Sequence, residues 1–214
     1  MGRSEAVRRG LFALLAVCAW FGIIGQVAMA VRPAVASGGS ALGAALTVMS
    51  YWTLLSNLFV ALACTTALLA PGSRAGRFFG RPIVRLSIGI YIATTGLIYF
   101  GLLRGMWQPQ GFQKLLDTML HYVTPLLAVL ALFVVDPPRP LRWQDLPKIL
   151  IFPLAYLAYA LVRGAMTGTY FYPFLDAGAL GLGQVLINSA VLSVAFLAAG
   201  AAVVALSRRR SHLG

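Results

Sequence analysis

Stretches of about 20 apolar residues recur along this chain, and short segments rich in arginine, glycine or proline separate them. A helix needs about 20 residues to cross the apolar core of a bilayer, because each residue advances it by about 1.5 Å. The sequence is 60% hydrophobic and 10% charged, too apolar for an ordinary soluble domain. We therefore predict an all-α integral membrane protein with one six-helix transmembrane domain over residues 1–214. The predicted spans are 11–31, 42–70, 82–103, 117–135, 149–168 and 179–206.

The basic residues predict the orientation of these spans. With six spans, both termini and the segments 71–85 and 136–148 lie on one side, and they contain 13 of the 17 lysines and arginines. Cytoplasmic loops of membrane proteins carry an excess of basic residues, so we predict that both termini are cytoplasmic. The same clustering accounts for the net charge of +12, and we expect no nucleic-acid partner.

The known motifs for cofactor and metal binding are missing from the sequence. It contains no phosphate-binding loop, no cluster of metal ligands and no Gly-x-Ser-x-Gly segment. Cys18 and Cys64 lie in apolar stretches without the spacing of a metal or redox pair, so we expect no cofactor and no metal. The Gly-Ile-Ile-Gly segment 22–25 and the Gly-Ala-Leu-Gly segment 178–181 predict close helix packing.

A short polar interruption lies near the start of the second predicted span. Thr53, Ser56 and Asn57 stand three and four residues apart, so a helix places them on one face. In hydrocarbon such groups point into the protein rather than at lipid. A membrane threonine most often bonds its own helix backbone, and a membrane asparagine most often ties two helices together. The face therefore has a structural as well as a functional interpretation.

His121 is one of two histidines, and it lies within the fourth predicted span. An ionisable group at such a position is a candidate functional residue, although a purely structural histidine is the alternative. Asp117 precedes it by one helical turn and is placed to hold one ring nitrogen. The second and fourth spans run in the same direction, and Thr53 and His121 both lie in their outer halves. We therefore predict that the two side chains face a common hollow open to lipid.

Three further polar side chains are predicted toward the same outer side. Arg163 lies near the outer end of the fifth span, and Tyr172 and Asp176 follow in the next loop. Arg163 or Asn57 is a candidate donor to an oxyanion, and Arg163 is also a candidate partner for a substrate carboxylate. Extension of Arg163 to the lipid headgroups and an interfacial role for Tyr172 are the alternatives.

Four segments carry a resemblance to a known family: Tyr-Trp-Thr-Leu-Leu-Ser-Asn at 51–57, His-Tyr-Val-Thr-Pro-Leu-Leu at 121–127, Tyr-Ala-Leu-Val-Arg-Gly at 159–164 and Tyr-Phe-Tyr-Pro-Phe-Leu-Asp at 170–176. They resemble the bacterial branch of the androgen-induced membrane-protein family, across most of the chain. Its animal members are multi-pass threonine hydrolases that cleave fatty acid esters of hydroxy fatty acids. The resemblance implies that Thr53 is the nucleophile and His121 the family's histidine, and it favours a bacterial inner membrane.

The chemistry predicted for these residues is hydrolysis of a lipid ester. A hydroxyl becomes a strong nucleophile when a neutral imidazole takes its proton and a third group orients the imidazole. In this hypothesis Thr53 is the nucleophile, His121 is the general base, and the substrate is a lipid or fatty-acyl ester that enters from the bilayer. The supporting residues are Ser56, Asn57, Asp117, Arg163, Tyr172 and Asp176.

Two other classes of function are compatible with the same residues. The first is a non-catalytic lipid- or small-molecule-binding protein, or a permease, that uses the same outer-side polar pocket. The second is a structural or assembly partner, in which Thr53 and His121 tolerate substitution while the helix-packing glycines do not. The sequence predicts no oligomeric state.

Overall fold

The computed structural model describes residues 2–134 and 141–211. Helices dominate this part of the chain, and no strand occurs in it. Six of its helices are long and apolar enough to cross a membrane, which confirms that part of the prediction. The predicted helix break at 136–140 and the tail residue His212 lie outside the described residues. The six candidate spans are Arg3–Ala36, Trp52–Leu69, Pro82–Leu103, Gly111–Leu132, Trp143–Thr167 and Leu182–Arg208.

The α-helices are numbered in chain order, and short 3₁₀ and π segments extend or connect them. A 3₁₀ segment, Trp143–Leu150, forms the start of the fifth span, and another, Pro173–Leu175, precedes α9. The α-helices are α1 (Arg3–Ala36), α2 (Ala41–Met49), α3 (Trp52–Leu69), α4 (Arg74–Phe79), α5 (Pro82–Ile98), α6 (Gly111–Thr118), α7 (Thr124–Val134), α8 (Ile151–Thr167), α9 (Ala177–Leu180) and α10 (Leu182–Ser211).

The second predicted span is two helices rather than one. Ser50 and Tyr51 separate α2 from α3, and the backbone of Tyr51 is extended, with φ −71° and ψ 137°. The Ser50 hydroxyl donates to the carbonyl oxygen of Leu46 at 2.6 Å, a contact that often bends membrane helices. The prediction of a continuous helix over 42–70 is therefore wrong at this point. As a result Thr53 lies in the first turn of α3 rather than within a longer helix.

Two π-helical turns interrupt the third and fourth spans. Tyr99–Leu103 continues α5, and Met119–Val123 joins α6 to α7. Pro125 follows the second π turn and has no N–H to offer the carbonyl of His121, four residues earlier. The N–H of Thr124 bonds instead to the carbonyl five residues before it, which widens the helix. Such turns are rare and occur frequently at functional sites.

The contacts divide the chain into two compact units, Met1–Asp136 and Pro137–Gly214. In the first unit α1 packs against α2, α3, α6 and α7, while α5 packs against α3 and α7. In the second unit α8 and α10 each pack against the 3₁₀ segment Trp143–Leu150. The single six-helix domain stays a prediction.

Glycines on α1 allow the close packing that the sequence predicted. A Cβ added at Gly22 would lie 2.7 Å from Cδ2 of Leu120, and one added at Gly25 would overlap Cδ2 of Leu116. Ordinary carbon–carbon contacts are about 3.5–4.0 Å, so only glycine fits here without a shift. The second predicted glycine pair behaves differently, because Gly181 has a φ of +77° and ends the short helix α9.

Candidate active site

Helix α3 presents Thr53, Ser56 and Asn57 on one inward face. Thr53 is 8% exposed, and Ser56 and Asn57 are fully buried. The Ser56 hydroxyl lies 3.1 Å from the carbonyl oxygen of Thr53 and 2.8 Å from the hydroxyl of Thr95 on α5. Ser56 therefore joins α3 to α5 by hydrogen bonding beside the candidate nucleophile.

Asn57 ties α3 to the π turn that carries His121. Its amide nitrogen donates to the carbonyl oxygens of Thr53, at 2.8 Å, and Leu120, at 3.2 Å. Both amide protons are engaged in these bonds, while the side-chain oxygen Oδ1 has no hydrogen-bond partner among the described residues. Asn57 is therefore a tie between helices in this structure, and the amide has no proton left for an oxyanion.

Thr53 and His121 meet within the first unit. The Oγ1 atom of Thr53 lies 3.3 Å from Nε2 of His121, although 68 positions separate the two residues in the chain. The His121 side chain is 13% exposed, so the contact is largely shielded from the surroundings. The fold thus brings the candidate alcohol and imidazole within hydrogen-bond reach of each other.

Asp117 contacts the other ring nitrogen of His121, Nδ1. Nδ1 of His121 lies 3.1 Å from the carbonyl oxygen of Asp117 and 3.1 Å from its carboxylate oxygen Oδ1. Only the carbonyl contact has hydrogen-bond geometry, so the carboxylate acts on the ring through its charge. A carbonyl can only accept, which assigns the proton of the neutral ring to Nδ1. Nε2 then directs its lone pair at the Thr53 hydroxyl, as a general base requires.

Tyr99 belongs to this cluster, and sequence reasoning missed it. Its hydroxyl donates to Oδ2 of Asp117 at 2.8 Å, and its ring stacks on the His121 imidazole with centroids 3.8 Å apart. Tyr99 is 4% exposed and begins the first π turn. The available signal was its spacing of four residues from Thr95, which places two polar groups on one face of the third span.

Arg163, Tyr172 and Asp176 belong to the second unit. The guanidinium of Arg163 lies over the ring of Phe171, with 4.3 Å between its central carbon and the ring centroid. Tyr172 is buried, and its ring stacks on Phe174 at 5.3 Å. These aromatic contacts are local to the second unit. The predicted convergence of the three residues with the polar face of α3 stays a prediction.

Other distinctive positions of the second unit have local structural roles. The carboxylate of Asp176 accepts hydrogen bonds from the N–H groups of Gly178, at 2.9 Å, and Ala179, at 3.0 Å, and so caps α9. A Cβ added at Gly164 would overlap the ring of Tyr170. The Arg-Gly and Tyr-Pro-Phe-Leu-Asp elements of the sequence therefore include residues that shape this unit.

The cluster in the first unit has the order of groups found in hydrolase triads. An alcohol contacts an imidazole, and a carboxylate next to the opposite ring nitrogen is placed to stabilise the imidazolium. Within residues 2–134 and 141–211, no three His, Cys, Asp or Glu side chains are placed to hold a metal ion. The groups present are those of acid–base and nucleophilic chemistry.

Comparisons with protein-family models, curated proteins and solved structures find no match to this chain. The resemblance to the androgen-induced membrane-protein family therefore stays a prediction. The geometry of Thr53, His121 and Asp117 is the observation from which a function is inferred.

Proposed function

We propose that this chain is an intramembrane hydrolase of lipid esters, with Thr53 as nucleophile and His121 as general base. The observation that carries the proposal is the 3.3 Å contact between Thr53 Oγ1 and His121 Nε2. The carbonyl of Asp117 holds the opposite ring nitrogen, so the contacting nitrogen is the one able to accept a proton.

In the proposed reaction, Nε2 of His121 takes the hydroxyl proton as Oγ1 of Thr53 attacks the ester carbonyl carbon. The tetrahedral intermediate expels the alcohol, which receives that proton, and an acyl ester of Thr53 remains. The imidazole then deprotonates a water molecule, whose attack releases the fatty acid and regenerates the threonine. The Asp117 carboxylate, 3.1 Å from Nδ1, stabilises the imidazolium formed in both halves of the reaction.

The position of Thr53 in the first turn of α3 also supports the proposal. The N-terminus of an 18-residue helix carries partial positive charge, which favours negative charge on a nearby oxygen. The break before α3 places Thr53 near the start of the candidate span Trp52–Leu69 rather than at its middle.

The charge distribution supports a membrane orientation with both termini in the cytoplasm. We further propose a bacterial inner membrane and a fatty-acyl ester substrate, which the four segments resembling the androgen-induced membrane-protein family support. Fusion of alkaline phosphatase or a fluorescent protein to the carboxyl terminus tests the orientation. A fluorescent fusion should be active and a phosphatase fusion inactive; the reverse result contradicts it.

The catalytic proposal is tested by labelling the purified protein with a fluorophosphonate probe in detergent. Wild-type protein should be labelled, while Thr53→Ala and the isosteric Thr53→Val should not, and Thr53→Ser should retain labelling. Thr94→Ala is the matched control, because the Thr94 hydroxyl donates to the carbonyl of Ile90 on its own helix. It should be labelled like the wild type.

Wild-type protein that neither reacts with the probe nor hydrolyses a fatty-acyl ester in proteoliposomes contradicts the proposal. The non-catalytic alternative predicts a different pattern, in which Thr53→Ala weakens lipid binding or transport and no variant shows ester cleavage. Measuring probe labelling and lipid binding on the same preparations distinguishes the hydrolase from the non-catalytic protein.

A further inference from the structure

We infer that Tyr99 is a positioning residue of this site. Its hydroxyl orients the Asp117 carboxylate, and its ring fixes the plane of the His121 imidazole. The inference rests on the proposed hydrolase function and adds a residue that neither helical spacing nor the family resemblance assigned.

The hydroxyl of Tyr99 gives the carboxylate of Asp117 one defined orientation. It donates to Oδ2 at 2.8 Å, which leaves Oδ1 directed at Nδ1 of His121, 3.1 Å away. Asp117 is 6% exposed, and a buried carboxylate depends on such donors for its orientation. The Tyr99 hydroxyl is the described partner of Oδ2, so its loss would free the carboxylate to rotate and move Oδ1 away from the imidazole.

The ring of Tyr99 restrains the imidazole itself. The two rings lie 3.8 Å apart with an angle of 16° between their planes, so rotation of the imidazole about its Cβ–Cγ bond would collide with the phenol ring. Tyr122 packs edge-on against Tyr99 at 5.6 Å and supports the ring. Stacking therefore keeps Nε2 directed at Thr53.

The two π turns meet at this pairing. Tyr99 begins one turn and His121 lies at the centre of the other. A Cβ added at Gly96 would lie 3.1 Å from the carbonyl oxygen of His121, so α5 and the second π turn approach closely at this level. His121 lies inside its turn, so one residue more or less before it would rotate the imidazole by about 100° relative to α6 and separate the two rings.

Histidine NMR tests the inference independently of turnover. The chain has two histidines, so selective ¹⁵N labelling with a His212→Ala background leaves the imidazole of His121 as the only signal. The wild type should show the tautomer with the proton on Nδ1. Tyr99→Phe keeps the ring but frees the carboxylate, so the charge of Oδ1 no longer adds to the Asp117 carbonyl in favouring a proton on Nδ1. The tautomer ratio should therefore move toward Nε2–H by about tenfold or more. Tyr156→Phe, a buried tyrosine of α8, is the control and should leave the ratio unchanged.

Probe labelling gives the second readout. Tyr99→Phe should slow fluorophosphonate labelling by about tenfold to a hundredfold, because a base misplaced by a fraction of an ångström loses much of its efficiency. Tyr99→Leu, which removes the hydroxyl and the stacking, should slow it further. An unchanged tautomer ratio in Tyr99→Phe overturns the inference. A shifted ratio in a chain whose wild type resists the probe supports the positioning role and removes the hydrolase proposal.

Discussion

The side-chain amide nitrogen of Asn57 lies 3.2 Å from the carbonyl oxygen of Leu120 and donates a hydrogen bond to it. Leu120 immediately precedes His121, and the same nitrogen also bonds the carbonyl of Thr53 at 2.8 Å. One fully buried side chain therefore sets the separation between the two backbones that carry the proposed nucleophile and base.

We expect Asn57→Leu to lower the free energy of unfolding by about 1–3 kcal/mol, because it leaves the buried carbonyl of Leu120 without this donor. Thermal unfolding in detergent measures the loss, and probe labelling should slow in parallel. Asn188→Leu removes a similar amide bond, to Phe174 in the second unit, and should leave labelling unchanged. An Asn57→Leu protein that unfolds and labels like the wild type would show that the tie is dispensable.

The carboxylate of Asp117 should matter for the rate rather than for folding. Asp117→Asn keeps an oxygen for the Tyr99 hydroxyl but loses the charge that stabilises the imidazolium, so labelling should fall by about a hundredfold or more. The second-order rate constant for the probe measures this. Asp145→Asn is the control, since the Asp145 carboxylate pairs with Lys148, three residues along the chain, and is not a candidate site residue. A rate for Asp117→Asn within twofold of wild type would argue against a role for the carboxylate.

The contact of α1 with α6 should be sensitive to a single methyl group. Gly25→Ala places its Cβ against Leu116, which directly precedes Asp117, and overpacking of this kind costs about 1–3 kcal/mol. Adding Leu116→Val should restore part of the lost stability. Among the described residues, the Cβ of Gly10→Ala on the same helix meets no atom within 4 Å beyond the adjacent helix backbone, so this variant should be neutral or slightly stabilising. Equal melting temperatures for the Gly25→Ala and Gly10→Ala proteins would contradict this account.

A corresponding prediction applies to the second unit. Gly164→Ala drives its methyl group into the ring of Tyr170, so we expect a loss of about 1–3 kcal/mol in stability. The Cβ of Gly183→Ala on α10 meets no atom of the described chain within 4 Å beyond the adjacent helix backbone, so this variant serves as the matched control. Limited proteolysis and thermal unfolding report the difference. If the two variants behave alike, the Tyr170 ring moves aside at little cost.

Much of the helical organisation could be predicted from the sequence, because the length of an apolar stretch directly reflects the thickness that it must cross. The approach of Thr53 to His121 also followed from simple rules. Helical spacing placed each residue on an inward face, and the alternation of spans placed both at a similar depth.

The interruptions of the helices were not predictable from the same rules. The break between α2 and α3 falls at Ser50 and Tyr51, and neither is a glycine or a proline, the residues that usually signal such a break. The π turns depend on which tertiary partner takes each backbone carbonyl, as Asn57 does at Leu120, and such competition has no local periodic signature. Pro125 was the one visible signal of the second π turn. Without the fold, it indicated only that one backbone N–H is missing. Tyr99 was missed although its spacing from Thr95 was visible, because Asp117 and His121 lie on another span and only the fold brings them to it.

The π turn ahead of Pro125 makes the histidine-to-proline interval a part of the site. In this chain the interval is four residues, and it decides which edge of the fourth span the imidazole occupies. In a related chain with the same histidine and proline but one residue inserted between them, the imidazole would be rotated by about 100° toward another neighbour. Counting that interval is therefore a stricter criterion for shared chemistry than matching the histidine alone.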